Sequence, residues 1–192
     1  GVSSIPRGAE APGHQPRGAG GRWVYPSERM FFDAMRRKGW DPAAADMGPV
    51  VAIHNAVNER AWREVLRWES LHPGCDGGPR LVRFRGRPRE YSFKARVLNW
   101  MGYKLPFDRH DWTVDRCGRE VTYIIDFYSG APQPGAPVAM HLDVRPHVDP
   151  RDPLGAAQAA LDRARMTLHW ATGLGGAELP ELPGAAPGAG KP

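Results

Sequence analysis

The spacing of apolar residues predicts two helices in the first third of the chain. A first helix runs from Ser27, a good N-cap residue, to about Lys38, with apolar residues at 30, 31, 34 and 35 on one side. A longer helix is predicted from about 50 to 72, where apolar side chains recur with the helical period. His54 shares the side of this helix that carries Val57 and Ala61, so the pattern directs its imidazole toward the interior or a pocket wall.

The rest of the chain alternates between strand and helix patterns. Polar and apolar residues alternate over 111–115 and 120–128, which predicts two antiparallel strands joined by a turn in which Gly118 is free to adopt a positive φ. The other predicted elements are a short strand at 81–84, a helix at 92–100, a strand at 138–144 and a helix at 154–170. The main elements follow the order α-α-α-β-β-β-α. This order predicts an α+β fold, with several helices packed against a small antiparallel sheet.

Glycine and proline divide the chain into three parts. The 192 residues include 23 Gly and 20 Pro, and these crowd toward the two ends. We therefore expect a flexible N-terminal lead over 1–22, a folded domain over 23–172 and a disordered, low-complexity tail over 173–192. Hydrophobic residues make up 41% and charged residues 24% of the chain, which excludes disorder of the whole.

The charge balance permits several kinds of partner. The net charge is +5, and residues 80–96 alone contain seven basic residues and one acidic residue. Such a run is compatible with a solvated basic face, a nucleic-acid surface or contact with anionic groups such as acidic lipids. No nucleic-acid-binding module accompanies it. No apolar run approaches the roughly 20 residues of a membrane span, so a soluble or peripheral protein is expected.

The two cysteines and the tryptophans restrict the chemistry further. Cys75 and Cys117 form no Cys-x-x-Cys pair, so neither a zinc site nor a disulfide framework is indicated. The chain has seven tryptophans, most of which we expect in the core. Trp23 lies outside any amphipathic period and is the exception. Its position suits a wall for a flat ligand.

Two segments carry candidate chemistry. An imidazole on an apolar helical face, such as that of His54, suits a haem iron, although a hydrogen-bonded core histidine shows the same pattern. Residues 107–112 place two acids, an arginine and His110 before a strand, which could orient a general base or form a salt-bridge network. No hydrolase, phosphate-binding or metalloprotease motif is present. The residues alone therefore indicate an α+β domain with a candidate site for a planar ligand.

Beyond these patterns, ordered sequence blocks over 3–170 resemble one known family. The most specific block is Pro-Phe-Asp-Arg-His-Asp-Trp at 106–112. The other blocks are 3–7, 23–28, 37–40, 53–55, 58–59, 62, 66–69, 100–103, 115–128 and 142–146. The chain resembles the holocytochrome c-type synthases, also called cytochrome c haem lyases.

This resemblance implies an enzyme, with 23–172 as the haem lyase domain. A family member is expected in the mitochondrial intermembrane space, in peripheral contact with the anionic inner membrane. It joins haem b to the Cys-x-x-Cys-His motif of apocytochrome c through thioether bonds, and cytochrome c1 is a second candidate substrate. The alternatives are a non-catalytic haem carrier or sensor and, third, a basic nucleic-acid module. We expect no nucleic-acid partner.

The resemblance also implies roles for particular residues. His54 is the expected axial ligand of the iron and the one metal ligand. Trp23 is expected to pack on the haem or hold the apocytochrome segment. Glu59 orients His54 or the substrate, or else makes a surface salt bridge. His110 and Arg116 position a haem propionate or support the fold.

Overall fold

The computed structural model describes residues 1–9, 15, 20–75, 77–130 and 139–172. Within them, six strands, four α-helices and one 3₁₀ turn follow the chain. The elements are β1 (Val2–Pro6), β2 (Arg22–Val24), α1 (Glu28–Arg37), the 3₁₀ turn (Ala44–Asp46), α2 (Met47–Glu69), β3 (Arg80–Gly86), α3 (Phe93–Trp100), β4 (Asp108–Arg116), β5 (Arg119–Ser129), β6 (Met140–Pro146) and α4 (Pro153–Thr172). The predicted α+β class is confirmed.

The larger sheet is an antiparallel meander in the order β3-β4-β5-β6. Its central hairpin turns through Cys117 and Gly118, whose φ angles are 48° and 89°. Two successive positive φ values match the right-handed twist of the flanking strands, and glycine accepts such a conformation without a steric penalty. The predicted role of Gly118 is confirmed. Helix α3 is inserted between β3 and β4.

A smaller sheet lies within the segment that was expected to be flexible. Strand β1 pairs antiparallel with β2, and the two sheets meet where Arg7 bridges to Leu81 and the Gly8 amide donates to the Leu81 carbonyl at 2.8 Å. The prediction of a flexible lead is wrong for residues 2–6, because their alternating side chains are buried against the rest of the domain. Ile5 is 2% exposed. The predicted domain limits otherwise stay a prediction, and the predicted tail lies outside the described residues.

Helix α2 covers one face of the larger sheet and closes the core. The core is one cluster of apolar side chains from α2 and from both sheets. Because side chains alternate along a strand, His110, Trp112 and Val114 of β4 point to the face that α2 covers. The core residues are Ile5, Trp23, Ala61, Trp62, Val65, Leu81, Trp112, Val114, Tyr123, Ile125, Phe127, Leu142 and Val144.

The opposite face of the sheet holds a buried polar network under the start of α3. Ser92, the N-cap of α3, donates to Asp126 at 2.6 Å, and Arg145 forms an ion pair with the same carboxylate at 2.6 Å. Asp126 is fully buried. These bonds fix the N-terminal end of α3 to the sheet, and Ala95 is the buried residue of that helix.

The sequence prediction omitted two of the six strands. The structure adds β1 and β2, and β3 extends over seven residues rather than the four predicted. A disulfide between Cys75 and Cys117 also ties the segment after α2 to the central hairpin, although the sequence indicated no disulfide framework. The sequence separation of 42 between the two cysteines hides this proximity in the sequence.

Candidate functional site

A cavity of about 380 Å³ opens where the two sheets meet α2. This volume lies within the range of about 300–1,000 Å³ that is usual for small-molecule sites. The walls are mainly aromatic and apolar, with few polar groups. They include Ile5, Trp23, Tyr25, Pro26, Met30, His54, Asn58, Leu81, Phe84, His110 and Trp112. Three of the predicted site residues, Trp23, His54 and His110, therefore lie around one cavity.

His54 reaches the cavity from the middle of α2 and is half-buried. Burial lowers the pKa of its imidazole, and the nearby His110 adds to this effect, although a hydrogen bond with Asn55 opposes it. The ring is therefore neutral at physiological pH, which leaves one nitrogen with a free lone pair. A neutral imidazole is the form that ligates a metal.

Two asparagines flank the His54 ring and lie within hydrogen-bond distance of its nitrogens. Nδ1 lies 3.2 Å from Asn55 Oδ1, which suits donation from Nδ1 and leaves Nε2 unprotonated. The Asn58 amide nitrogen lies 3.3 Å from Nδ1 and 3.2 Å from Nε2. When Nδ1 donates to Asn55, Nε2 is the acceptor for the Asn58 amide, so an iron bound at Nε2 would replace this contact with Asn58. The Asn58 amide also donates to the His54 carbonyl at 3.0 Å, so its position has an independent cause.

Aromatic edges hold the His54 ring in place. The Phe31 ring lies 5.1 Å from it and the Tyr25 ring 6.3 Å, both in edge-on arrangements. Tyr25 is itself fixed, because its hydroxyl donates to Glu59 at 2.8 Å. Burial raises the pKa of the Tyr25 hydroxyl, and the Glu59 carboxylate raises it further, so the hydroxyl keeps its proton.

Glu59 binds the wall of the cavity and not His54 itself. Its carboxylate accepts hydrogen bonds from the Ser4 amide at 3.0 Å, from the Ser4 hydroxyl and from Tyr25. These partners lie in β1 and in the segment after β2. If Glu59 orients His54, as predicted, it acts through Tyr25, which lies between them.

His110 and Trp112 face the cavity from β4. Their spacing of two residues places them on the same face of the sheet. Among the described residues, His110 Nδ1 and Trp112 Nε1 are buried without a hydrogen-bond partner. His110 Nε2 lies 3.3 Å from Asp108. Unpaired buried polar atoms are costly, so these two side chains lower the stability of the sheet at the edge of the cavity.

Trp23 is a structural residue as well as a cavity wall. It is 3% exposed, and its indole Nε1 donates to the Leu81 carbonyl at 2.9 Å. Its ring also packs against Phe84, with centroids 5.4 Å apart. These contacts tie β2 to β3 on one side of the cavity.

Arg116 lies away from the cavity, in a buried network of its own. Its guanidinium forms two hydrogen bonds with Glu69 at 2.8 and 2.9 Å and a third with the Tyr123 hydroxyl at 3.1 Å. Burial lowers the pKa of the Arg116 guanidinium, but Glu69 and Tyr123 together outweigh burial and raise it. Of the two predicted roles for Arg116, these contacts favour support of the fold.

Comparison with known proteins identifies the family of this chain. The family model described as cytochrome c/c1 heme lyase matches residues 1–164. The chain belongs to the cytochrome c/c1 heme lyase family.

Named relatives of this heme lyase family cover most of the chain. It is 51% identical to the holocytochrome c-type synthase of Gallus gallus over 153 residues, which are 77% of this chain and 53% of the relative. The holocytochrome c-type synthase of Homo sapiens is 52% identical over 134 residues, 67% of this chain and 50% of the relative. The holocytochrome-c synthase of Saccharomyces cerevisiae is 36% identical over 154 residues, 68% of this chain and 57% of the relative.

The chain spans about half the length of these heme lyase relatives. No solved structure matches it significantly. In the parts of the chain that the structure describes, no helix combines the length and hydropathy needed to cross a bilayer. The same parts hold no cluster of three or more His, Cys, Asp or Glu residues arranged for a metal ion.

Several residues that line this cavity were not predicted from the sequence. No spacing rule joins Asn58 of α2, Phe84 of β3, Trp112 of β4 and Tyr25, which follows β2. Two local signals were available. Asn58 is four residues after His54 on one helix face, and Trp112 is two residues after His110 on one strand face.

Proposed function

We propose that this chain attaches haem b covalently to apocytochrome c, as a holocytochrome c synthase. Membership of the cytochrome c/c1 heme lyase family supports this reaction class. The observation that carries the proposal is the position of His54, a neutral imidazole on the wall of an aromatic cavity. Haem is a substrate here, because it leaves with the cytochrome.

The cavity suits one edge or face of a porphyrin. Apolar and aromatic walls bury a flat macrocycle favourably, and Trp23, Phe84 and Trp112 supply three such walls. His54 Nε2 would bind the iron at one axial position.

The substrate histidine of the Cys-x-x-Cys-His motif would take the opposite axial position on the iron. This ligation places the two cysteine thiols beside the haem vinyl groups. Each thiol then adds across a vinyl double bond: a carbon–sulfur bond forms, and the thiol proton ends on the other vinyl carbon. The addition releases no leaving group and consumes no oxidant, so we expect orientation to supply much of the rate. We assign no residue to the proton transfer.

The partners follow from the same proposal. The family description names cytochromes c and c1, so apocytochrome c is the proposed protein substrate and cytochrome c1 a further one. The proposed location is the mitochondrial intermembrane space, peripheral to the inner membrane. The net charge of +5 is compatible with anionic lipid there.

Co-expression with apocytochrome c tests the function. We expect a cytochrome product that keeps its haem after denaturation in detergent, measured by in-gel haem staining and the Soret band. His54→Ala should abolish that product and most haem binding. The matched control is His169→Ala, since His169 is an exposed histidine on α4.

Two results would overturn the proposal. A normal yield of holocytochrome with His54→Ala would remove the axial role of His54. Haem that binds to the chain but never becomes covalent on the cytochrome would instead indicate the carrier or sensor alternative.

A further inference from the structure

Helix α3 exposes apolar side chains to solvent along one face. Phe93 is 84% exposed and Trp100 is 88% exposed. Val97 and the C-cap residue Met101 are 38% and 54% exposed. Positions 93, 97, 100 and 101 have the i, i+4, i+7, i+8 spacing of one helix face, so these side chains form a continuous stripe.

The stripe faces away from the protein. Ala95, the buried residue of α3, lies on the opposite side of the helix, and the Ser92 bonds fix the helix start to the sheet. The segment after the helix folds back on it, since the Tyr103 amide donates to the Leu98 carbonyl at 3.0 Å. Tyr103 is itself 63% exposed and extends the aromatic surface.

Positive charge borders this stripe on both sides. Helical geometry places Lys94 on one flank and Arg96 on the other. Residues 87–107 contain five basic residues and one acidic residue, a net charge of +4. That acid, Glu90, is paired with Arg87. Arg89, Arg96 and Lys104 are exposed and form no ion pair with the described residues.

We propose that this α3 surface (Phe93, Val97, Trp100, Met101 and Tyr103 with the flanking Arg89, Arg96 and Lys104) docks the protein on an anionic phospholipid bilayer. Its apolar residues enter the interface between headgroups and acyl chains, and its cations contact the lipid phosphates. Tryptophan and tyrosine favour this depth, because each has an apolar ring and a polar atom. Basic side chains beside an inserted apolar face supply the attraction to anionic lipid.

Charge is the reason to favour a bilayer over a protein groove. Lys94 on one flank is paired with Asp143, but Arg89, Arg96 and Lys104 form no ion pair with the described residues and give the surface an excess of positive charge. Such a surface complements a plane of negative charge. The inference specifies the surface behind the proposed peripheral location and rests on that part of the proposed function. Vesicle binding needs neither haem nor apocytochrome, so a failure here is distinguishable from a failure of haem attachment.

The test is co-sedimentation of the purified chain with two kinds of vesicle. One kind contains phosphatidylcholine alone, and the other mixes it with phosphatidylglycerol. We expect binding to the anionic vesicles, weakened by salt, and little binding to the neutral ones. Phe93→Gln/Trp100→Gln should lower partitioning at least about tenfold, because burying an aromatic side chain is worth a factor of about ten or more.

Two matched variants separate the contributions. Trp40 is 65% exposed but lies after α1, so Trp40→Gln should bind anionic vesicles like the parent chain. Arg89→Gln/Arg96→Gln/Lys104→Gln should lose the preference for anionic over neutral vesicles. Circular dichroism and thermal melting check that each variant is folded.

Three results would overturn the proposal. The parent chain could fail to bind anionic vesicles, or Phe93→Gln/Trp100→Gln could bind them like the parent chain. The third is a dimer of the parent chain, seen by light scattering, that the Phe93→Gln/Trp100→Gln variant lacks. That result would assign the surface to a second copy of the chain.

Discussion

The Tyr25 hydroxyl donates a hydrogen bond of 2.8 Å to Glu59 and thereby ties the segment after β2 to α2. Glu59 also binds the amide and the hydroxyl of Ser4, so one carboxylate joins three separate parts of the chain at the cavity. The Tyr25 ring in turn lies edge-on to His54. Glu59 is therefore a positioning residue for the cavity wall.

This relationship predicts graded losses of stability. Tyr25→Phe removes one hydrogen bond and should cost about 1 kcal/mol, and Glu59→Ala removes the shared acceptor and should cost about 2–3 kcal/mol. Urea unfolding measures both. Haem binding, followed by the Soret band at saturating folded protein, should weaken with Glu59→Ala because Tyr25 loses its anchor. Equal stability losses in the two variants would contradict the shared-acceptor account.

Haem binding should depend on pH through His54. Its pKa lies below the usual value of about 6.5, because burial disfavours the imidazolium. Protons compete with iron for the ring, so affinity should stay flat from about pH 8 to 6.5 and fall by up to about tenfold per pH unit below the pKa. Soret titrations at each pH measure this effect.

The sign of the stability effect follows from the same pKa. As the pH falls, the unfolded chain binds a proton at His54 at a higher pH than the folded chain does. Protonation of His54 therefore lowers the free energy of unfolding below about pH 6.5. His54→Ala should remove that part of the acid sensitivity, and His169→Ala should not. A haem affinity that already declines as the pH is lowered from 8 to 7 would contradict the assignment of the pH dependence to His54.

Trp23 should matter for folding as much as for the cavity. Trp23→Phe removes the indole bond to the Leu81 carbonyl, which keeps its bond from the Gly8 amide, and should cost about 0.5–1.5 kcal/mol. Trp23→Ala also leaves a void and should cost about 3–5 kcal/mol. Trp40→Phe is the matched control, because Trp40 is exposed, and its effect should lie within about 0.5 kcal/mol. Thermal and urea unfolding would contradict the prediction if the two Phe variants were equally stable.

Arg116 should act through stability and not through haem contact. Arg116→Met leaves the Glu69 carboxylate buried without its cation, which should cost about 3–5 kcal/mol. The removal of both charges in Glu69→Gln/Arg116→Met should recover part of that loss. Haem affinity per folded molecule should not change. A weakened haem affinity with normal stability would instead assign Arg116 to a propionate.

The Cys75–Cys117 disulfide should stabilise the fold. It closes a loop over 42 positions, for which the chain-entropy argument gives about 4 kcal/mol. Cys75→Ser/Cys117→Ser should lower the melting temperature, and reduction of the parent chain should lower it by a similar amount. A melting temperature that does not respond to reductant would contradict a formed disulfide in the folded protein.

The sequence determined the elements whose causes are local. The apolar period of α2, the serine N-caps of α1 and α3 and the glycine turn of the β4–β5 hairpin each depend on neighbouring residues, and the predicted elements match the structure there. The helical period alone directed His54 toward the interior or a pocket wall, and the structure places it on the wall of a cavity. Family resemblance, carried by ordered blocks of sequence, supplied the haem chemistry that the residues themselves left open.

Only the tertiary structure decided the contacts between distant segments. β1 has the composition of a flexible segment, yet it is ordered by pairing with β2 and by Glu59, 55 residues away from Ser4. The Arg116–Glu69 bonds and the Cys75–Cys117 disulfide likewise join residues that no local sequence pattern connects. Local propensity depends on a few adjacent residues, whereas pairing, burial and ion pairs depend on which segments the fold brings together. The cavity around His54 therefore depends on contacts between segments that are distant in the sequence.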